Sequence, residues 1–144
     1  MNRYEHTQKS LLLHWIMVPL LIVGLGGVFL ARPKLWAWLL IVVYFVALSW
    51  VMVTFSMLTV LVDAEQIRLY FGRGWPRKTI FRADIVSVRP VRNEWWHGLG
   101  IRWIPHGALW NVWGRDAAEL QLRSGRVFRV GTDDVDALVA ALLL

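Results

Sequence analysis

Residues 10–31 read SLLLHWIMVPLLIVGLGGVFLA, and residues 35–54 read LWAWLLIVVYFVALSWVMVT. Neither stretch contains Asp, Glu, Lys or Arg, and the second uncharged run continues to Val62. Both exceed the roughly 18 consecutive apolar residues that mark a candidate membrane span. A helix of about 20 residues rises about 30 Å, which matches the hydrocarbon core of a bilayer. A cleaved signal peptide is the rival reading of the first stretch. Its apolar run is too long for an h-region, and a second span follows after only Arg32, Pro33 and Lys34. Those three residues read as a tight turn, so a two-helix transmembrane hairpin is expected over 10–31 and 35–54. Pro19 removes one backbone donor inside the first helix. Gly24, Gly26 and Gly27 offer a small-residue face for helix packing. Trp36 and Trp38 stand at one end of the second span and Trp50 near the other, where amphipathic rings favour the membrane interface.

Working outward, the composition agrees. Of 144 residues, 57% are hydrophobic and 18% charged, with no cysteine. Soluble domains usually hold about 45–50% apolar residues. Disorder, a collagen repeat, a disulfide scaffold and a cysteine-ligated metal site are excluded. The formal net charge is +6. Arg3, Lys9, Arg32 and Lys34 face only Glu5 in the first 54 residues; beyond Thr54, all basic residues except Lys78 are arginine. A basic balance can serve nucleic acid or an anionic leaflet. Beside two spans the leaflet is the nearer partner, and nucleic acid is not expected. The plainer reading is a solvated face of strand-borne arginines balanced by nearby carboxylates.

After the spans the hydrophobic period changes from 3.6 to two. A strand is expected over Met57 to Asp63, preceded by a change of structure near Phe55 to Leu58. Ile67, Leu69 and Phe71 alternate with Arg68 and Tyr70; Gly72-Arg73-Gly74 turns the chain. Further alternation runs through Thr79 to Arg82, Ile85 to Arg92, Ala118 to Arg123, and Phe128 to Val130, with a hairpin signal at Ser124-Gly125. Short antiparallel strands at this spacing indicate a small sandwich or barrel. Met1 to Lys9 is polar and reads as a short tail. At the other end, Val135, Leu138, Val139, Leu142 and Leu143 share one helical face. Thr132 or Asp133 is the expected cap, and Asp134 and Asp136 complement the helix dipole. So short a helix needs a partner surface, and the open end of the β structure supplies one.

About seven strands followed by an amphipathic helix is an order that resembles a pleckstrin-homology domain. Residues 58–144 are similar to bacterial PH-like domains carried on one or two N-terminal membrane helices. The resemblance lies in VDAEQIRLYFG (62–72), ADIVSVRPV (83–91), GLGIRWIPHGALWNVWGRDAAELQLRSGRVFRVGTDD (98–134) and the closing helix. It implies an α+β membrane protein: an anchor unit over 1–57 and a PH-like β domain over 58–144, in a bacterial inner membrane. It implies no reaction and no cofactor. PH domains that grip phosphoinositides carry several basic residues between their first two strands. Here that loop is Asp63-Ala64-Glu65-Gln66, so the usual pocket is not expected. The next loop carries Arg73, Trp75, Arg77 and Lys78, candidates for anionic headgroup contact at about 1 kcal/mol per basic residue. A solvated hairpin tip is the alternative.

Catalytic chemistry is hard to find. His97 and His106 lack a metal-ligand partner at usable spacing, and no nucleophile elbow, P-loop or dinucleotide fingerprint occurs. His14 lies within the first span, where an ionisable residue raises a functional question; a neutral interfacial histidine is the commoner case. The anomalous segment is Glu94 to Gly114, which holds Trp95, Trp96, Trp103, Trp110 and Trp113, half of the ten tryptophans. Ile101 and Ile104 add aliphatic surface, while Gly98, Gly100, Pro105 and Gly107 exclude a regular helix. Core packing explains Trp110 or Trp113; five large rings exceed what one small β face buries. These seven residues form the candidate membrane or partner interface.

The expected function is a non-enzymatic, membrane-anchored adaptor that binds lipid surface, its own copy or another membrane protein. The alternatives are an accessory or assembly subunit of a membrane complex, or a histidine-dependent cofactor carrier. Arg3, Lys9, Arg68 and Arg73 outnumber Arg32 and Lys34, which places the β domain in the cytoplasm under the positive-inside rule.

Overall fold

The computed structural model describes residues 4–10, 12–31 and 34–143. The uncharged stretches form two long helices, α1 (Leu12–Ala31) and α2 (Leu35–Phe55), with α1 unbroken through Pro19. Large apolar side chains along both lie bare, and α2 is long and apolar enough to cross a membrane. Arg32 and Pro33, expected in a tight turn, lie outside the described residues. Of the three glycines expected to pack, only Gly24 does: a Cβ there would stand 2.9 Å from Phe45 Cζ, whereas Gly26 and Gly27 face open space.

Among the described residues, nine strands form two sheets. The first runs β1 (Tyr4–Lys9), β2 (Met57–Val62), β3 (Gln66–Phe71), β4 (Arg77–Phe81) in spatial order, antiparallel throughout. The polar N-terminal segment is therefore no tail. It pairs along its whole length with β2, from Tyr4 opposite Val62 to Lys9 opposite Met57. YEHTQK carries almost no apolar alternation because it is an edge strand whose side chains, except Gln8, are not fully buried. Thr7 and Thr59 hydroxyls meet at 2.9 Å across the pair. The helices are thus a long connection between neighbouring strands, and a boundary after residue 57 cuts one sheet in two.

The second sheet comprises β5 (Ile85–Arg92), β6 (Gly100–Ile104), β7 (Gly107–Asn111), β8 (Asp116–Leu122) and β9 (Val127–Gly131), in the order β5-β8-β9-β7-β6. The expected all-antiparallel pattern fails at one place: β7 and β9 run parallel. The β7–β8 link skips one strand position and β9 fills it. Close approach at that pairing requires Gly107, where a Cβ would stand 1.6 Å from Val127 O. Among the described residues eight strands, not seven, follow the helices, because Gly100–Asn111 forms a β6–β7 hairpin inside the tryptophan segment, where no strand was expected.

The inner faces of the two sheets share one core, with Leu58, Leu69 and Phe71 opposite Trp110, Leu120 and Phe128. Helix α3 (Val135–Leu143) buries Leu138 and Leu142 in that core, with Val135 and Val139 packed beside it. Leu143, placed by periodicity on the same face, is 70% exposed. Thr132 Oγ1 accepts from Asp134 N at 3.1 Å at the helix start. Arg82 donates to the Ala141 and Leu142 carbonyls at 3.2 and 3.0 Å, satisfying groups a helix end leaves unpaired.

Candidate functional site

The β3–β4 hairpin leans on α2. Gly72, at φ +50°, sits so close to the Thr54 carbonyl that a Cβ would lie 2.9 Å from it. The contact brings the exposed Trp75 against Trp50 of α2, ring centroids 5.7 Å apart. Arg73, Ser49 and Val53 complete a cleft of about 400 Å³ beside the two indoles. The basic set read from the loop does not form one patch. Arg73 stays with Trp75; Arg77 lies opposite Tyr70 on the outer face; Lys78 lies opposite the buried Leu69, facing inward at the sheet edge. In the preceding loop, Asp63 Oδ1 accepts from Glu65 N at 3.0 Å and Gln66 N at 2.9 Å. Those backbone hydrogen bonds hold the Asp63 carboxyl below its ordinary range.

The tryptophan segment approaches the same end of the molecule. Leu99, Gly100, Ile101 and Arg102 share a gap of about 370 Å³ with Met17, Val51, Met52 and Phe55 of the helices. Trp95 and Trp96 sit on a single 3-10 turn and meet edge to face at 5.7 Å, both mostly exposed. The turn is fixed by Glu94 N donating to His97 Nδ1 at 3.1 Å, so His97 serves as a local cap. His106 is a turn residue at φ +64° whose carbonyl accepts from Val127 N. Trp103 is 80% exposed and Trp113 about half exposed. Trp110 and Ile104 correct the expected interface: both are buried. Trp110 lies on the face of β7 turned between the sheets, against Phe71 and Phe128, and Ile104 lies on the opposite face of the β6–β7 hairpin, the face of the buried Leu109 and Asn111.

Behind this surface, two buried side-chain amides and the backbone N–H of the buried Asn93 brace the β7–β8 turn. Gln8 donates to Trp113 O at 2.8 Å, Asn111 to Gly114 O at 3.0 Å, and Asn93 N to Arg115 O at 2.6 Å. A cleft of about 550 Å³ lies against the turn, with Arg92 and Arg115 balanced by Glu94 and Asp116. Nearby, Glu119 of β8 lies in register between Arg89 of β5 and Arg129 of β9. Burial by itself would raise its pKa; hydrogen bonds from Arg129 and Arg89 outweigh that and hold it below the ordinary carboxylate range. At the N-terminal strand, His6 Nε2 meets Asp133 at 2.6 Å, and burial followed by the Asp134 charge pushes the Tyr4 phenol up to about 12. Asp133 and Asp134 thus tie β1 to the start of α3. No group of three metal-ligating side chains gathers among the described residues.

No protein-family model matches this chain, and no curated protein matches it. The side chains above therefore carry the functional reading alone.

Proposed function

We propose that the protein is a membrane-anchored, non-enzymatic adaptor in which α1 and α2 span a bacterial inner membrane as a hairpin and a PH-like β domain sits on the cytoplasmic headgroup layer. The observation that carries this reading is the level at which the aromatic and basic residues lie. Trp50, near the domain end of the bare apolar helix α2, is met by Trp75 and Arg73 of the β3–β4 tip. Indoles favour the membrane interface and basic residues favour an anionic leaflet. Leu99 to Arg102 reach the same helix ends from the other sheet. The strand series closed by α3 supports the PH-like assignment, with the parallel β7–β9 pair as a departure from a simple meander. Trp95, Trp96 and Trp103 are the bare rings through which the domain meets lipid, a second copy or another membrane protein.

The test uses the full chain. It resists alkaline carbonate extraction from membranes, and in vesicles containing brominated lipid its tryptophan emission is quenched. Replacing Trp95, Trp96 and Trp103 together by alanine lowers the quenched fraction and leaves thermal unfolding of the β domain unchanged. Release by carbonate would overturn the anchor. Unfolding of the triple variant would place the rings in the core, where each Trp→Ala costs about 3–5 kcal/mol.

A further inference from the structure

The free edge of β4 and the inner face of the second sheet enclose a cleft of about 320 Å³. Its floor is the aromatic end of the core, Trp110 and Phe128 with ring centroids 5.9 Å apart, together with Leu122. Trp103, the barest indole of the β domain, lines it as well. The charged lining consists of Lys78 and Arg126, and no acidic side chain among the described residues contributes. Neither cation pairs with a carboxylate among the described residues. This differs from the larger cleft at the β7–β8 turn, whose two arginines and two carboxylates cancel. Ile101 lines both this cleft and the gap beside Met17 and Met52, so the cleft opens next to the helix ends.

Two unpaired cations beside an apolar, aromatic floor select an anion that carries a hydrocarbon. A free inorganic anion would leave the floor uncovered, and an uncharged chain would leave the cations unmatched. The geometry points to a site for one single-chain amphiphile with an anionic head group, of which a fatty-acid carboxylate is the simplest. The chain lies along Trp103, Ile101 and Leu122, above the buried Trp110 and Phe128, and the head group pairs with Lys78 and Arg126. The inference rests on the membrane-anchored reading above, because the adjacent bilayer is the source of the ligand.

The experiment reconstitutes the full chain in phosphatidylcholine nanodiscs with a photoactivatable diazirine palmitate and maps the labelled peptides by mass spectrometry. Labels are expected on α1 and α2 and, separately, on the peptides carrying Trp103, Trp110 and Phe128. Lys78→Gln and Arg126→Gln each reduce cleft labelling about fivefold and leave helix labelling unchanged. Excess palmitate competes for the cleft; inorganic phosphate does not. Labels confined to α1 and α2, equal cleft labelling by the diazirine analogue of palmityl alcohol, or competition by inorganic phosphate would each overturn the amphiphile site while leaving the anchor intact. Absence of label from α1 and α2 would overturn the anchored reading itself.

Discussion

Glu119 offers the sharpest test of the packing described here. It is 4% exposed, and its two oxygens accept from Arg89 Nε at 2.8 Å and Arg129 Nε at 2.7 Å. Removing one member of a fully buried ion pair costs about 3–5 kcal/mol, because the survivor keeps an uncompensated charge. The survivors here are unequal. The Arg89 side chain is 70% exposed and regains water; that of Arg129 is 23% exposed and keeps only Asn93 Oδ1, at 3.3 Å. Glu119→Ala should therefore cost about 2–3 kcal/mol, below the fully buried range. Arg129→Gln should cost about 1–2 kcal/mol, since one partner of the carboxylate remains, and Arg89→Gln less than about 1 kcal/mol. The pH dependence follows from the lowered pKa. The unfolded carboxyl binds its proton at a higher pH than the folded one, so the stabilisation is complete above the ordinary value of 4.5 and is lost as pH falls through the folded value. The gap between wild type and Glu119→Gln should accordingly be constant near neutrality and narrow below pH 4.5. Urea unfolding of the full chain in mild detergent, followed by tryptophan emission, measures these differences. A Glu119→Ala variant within about 0.5 kcal/mol of wild type, or equal costs for the two arginine variants, would refute the argument.

Leu138→Asp should bury an unpaired charge in the core and cost several kcal/mol, seen as loss of cooperative β-domain unfolding; unchanged melting would make α3 peripheral. Gln8→Ala should leave the Trp113 carbonyl without its donor at a cost of about 1–3 kcal/mol. An unaltered urea midpoint would mean that β1 is dispensable to the fold. Gly107→Ala should be the most damaging of the glycine substitutions, because Val127 backbone stands where the methyl must go; a wild-type melting temperature would rule out the parallel β7–β9 pairing. A phosphatase active only in the periplasm, fused to the C-terminus, should be inactive, and an active fusion would reverse the topology.

The alternation in QIRLYF and AELQL, the uncharged runs and the face shared by Val135, Leu138, Val139 and Leu142 are local periodicities. They depend on which side of one element must leave water, and so they can be read from the chain alone. The strand nature of Tyr4–Lys9 could not be read that way. Its stability comes from backbone hydrogen bonds to β2, a partner some fifty residues away, and side-chain pattern carries no trace of that pairing.

The tryptophan segment shows the same division within a few residues. Its excess of indoles marked an unusual surface, and its glycines excluded a helix. Which rings stay bare was decided by strand position: the β6–β7 register sets Trp103 on the same face as Trp110, but β6 is the sheet edge, so Trp110 is covered by Phe71 and Phe128 while Trp103 stays bare. Likewise the sequence showed arginines and carboxylates in alternation, but only the pairing of β5, β8 and β9 sets Glu119 between Arg89 and Arg129. Lys78 and Arg126, far apart in the chain, line one cleft because two sheet edges fail to close over the aromatic core. What the sequence alone determined was the two apolar helices, the strands whose residues alternate and most of the buried face of α3, since each depends on near neighbours. Partnership, register and cleft depend on residues brought together over long separations, and these only the tertiary structure decided.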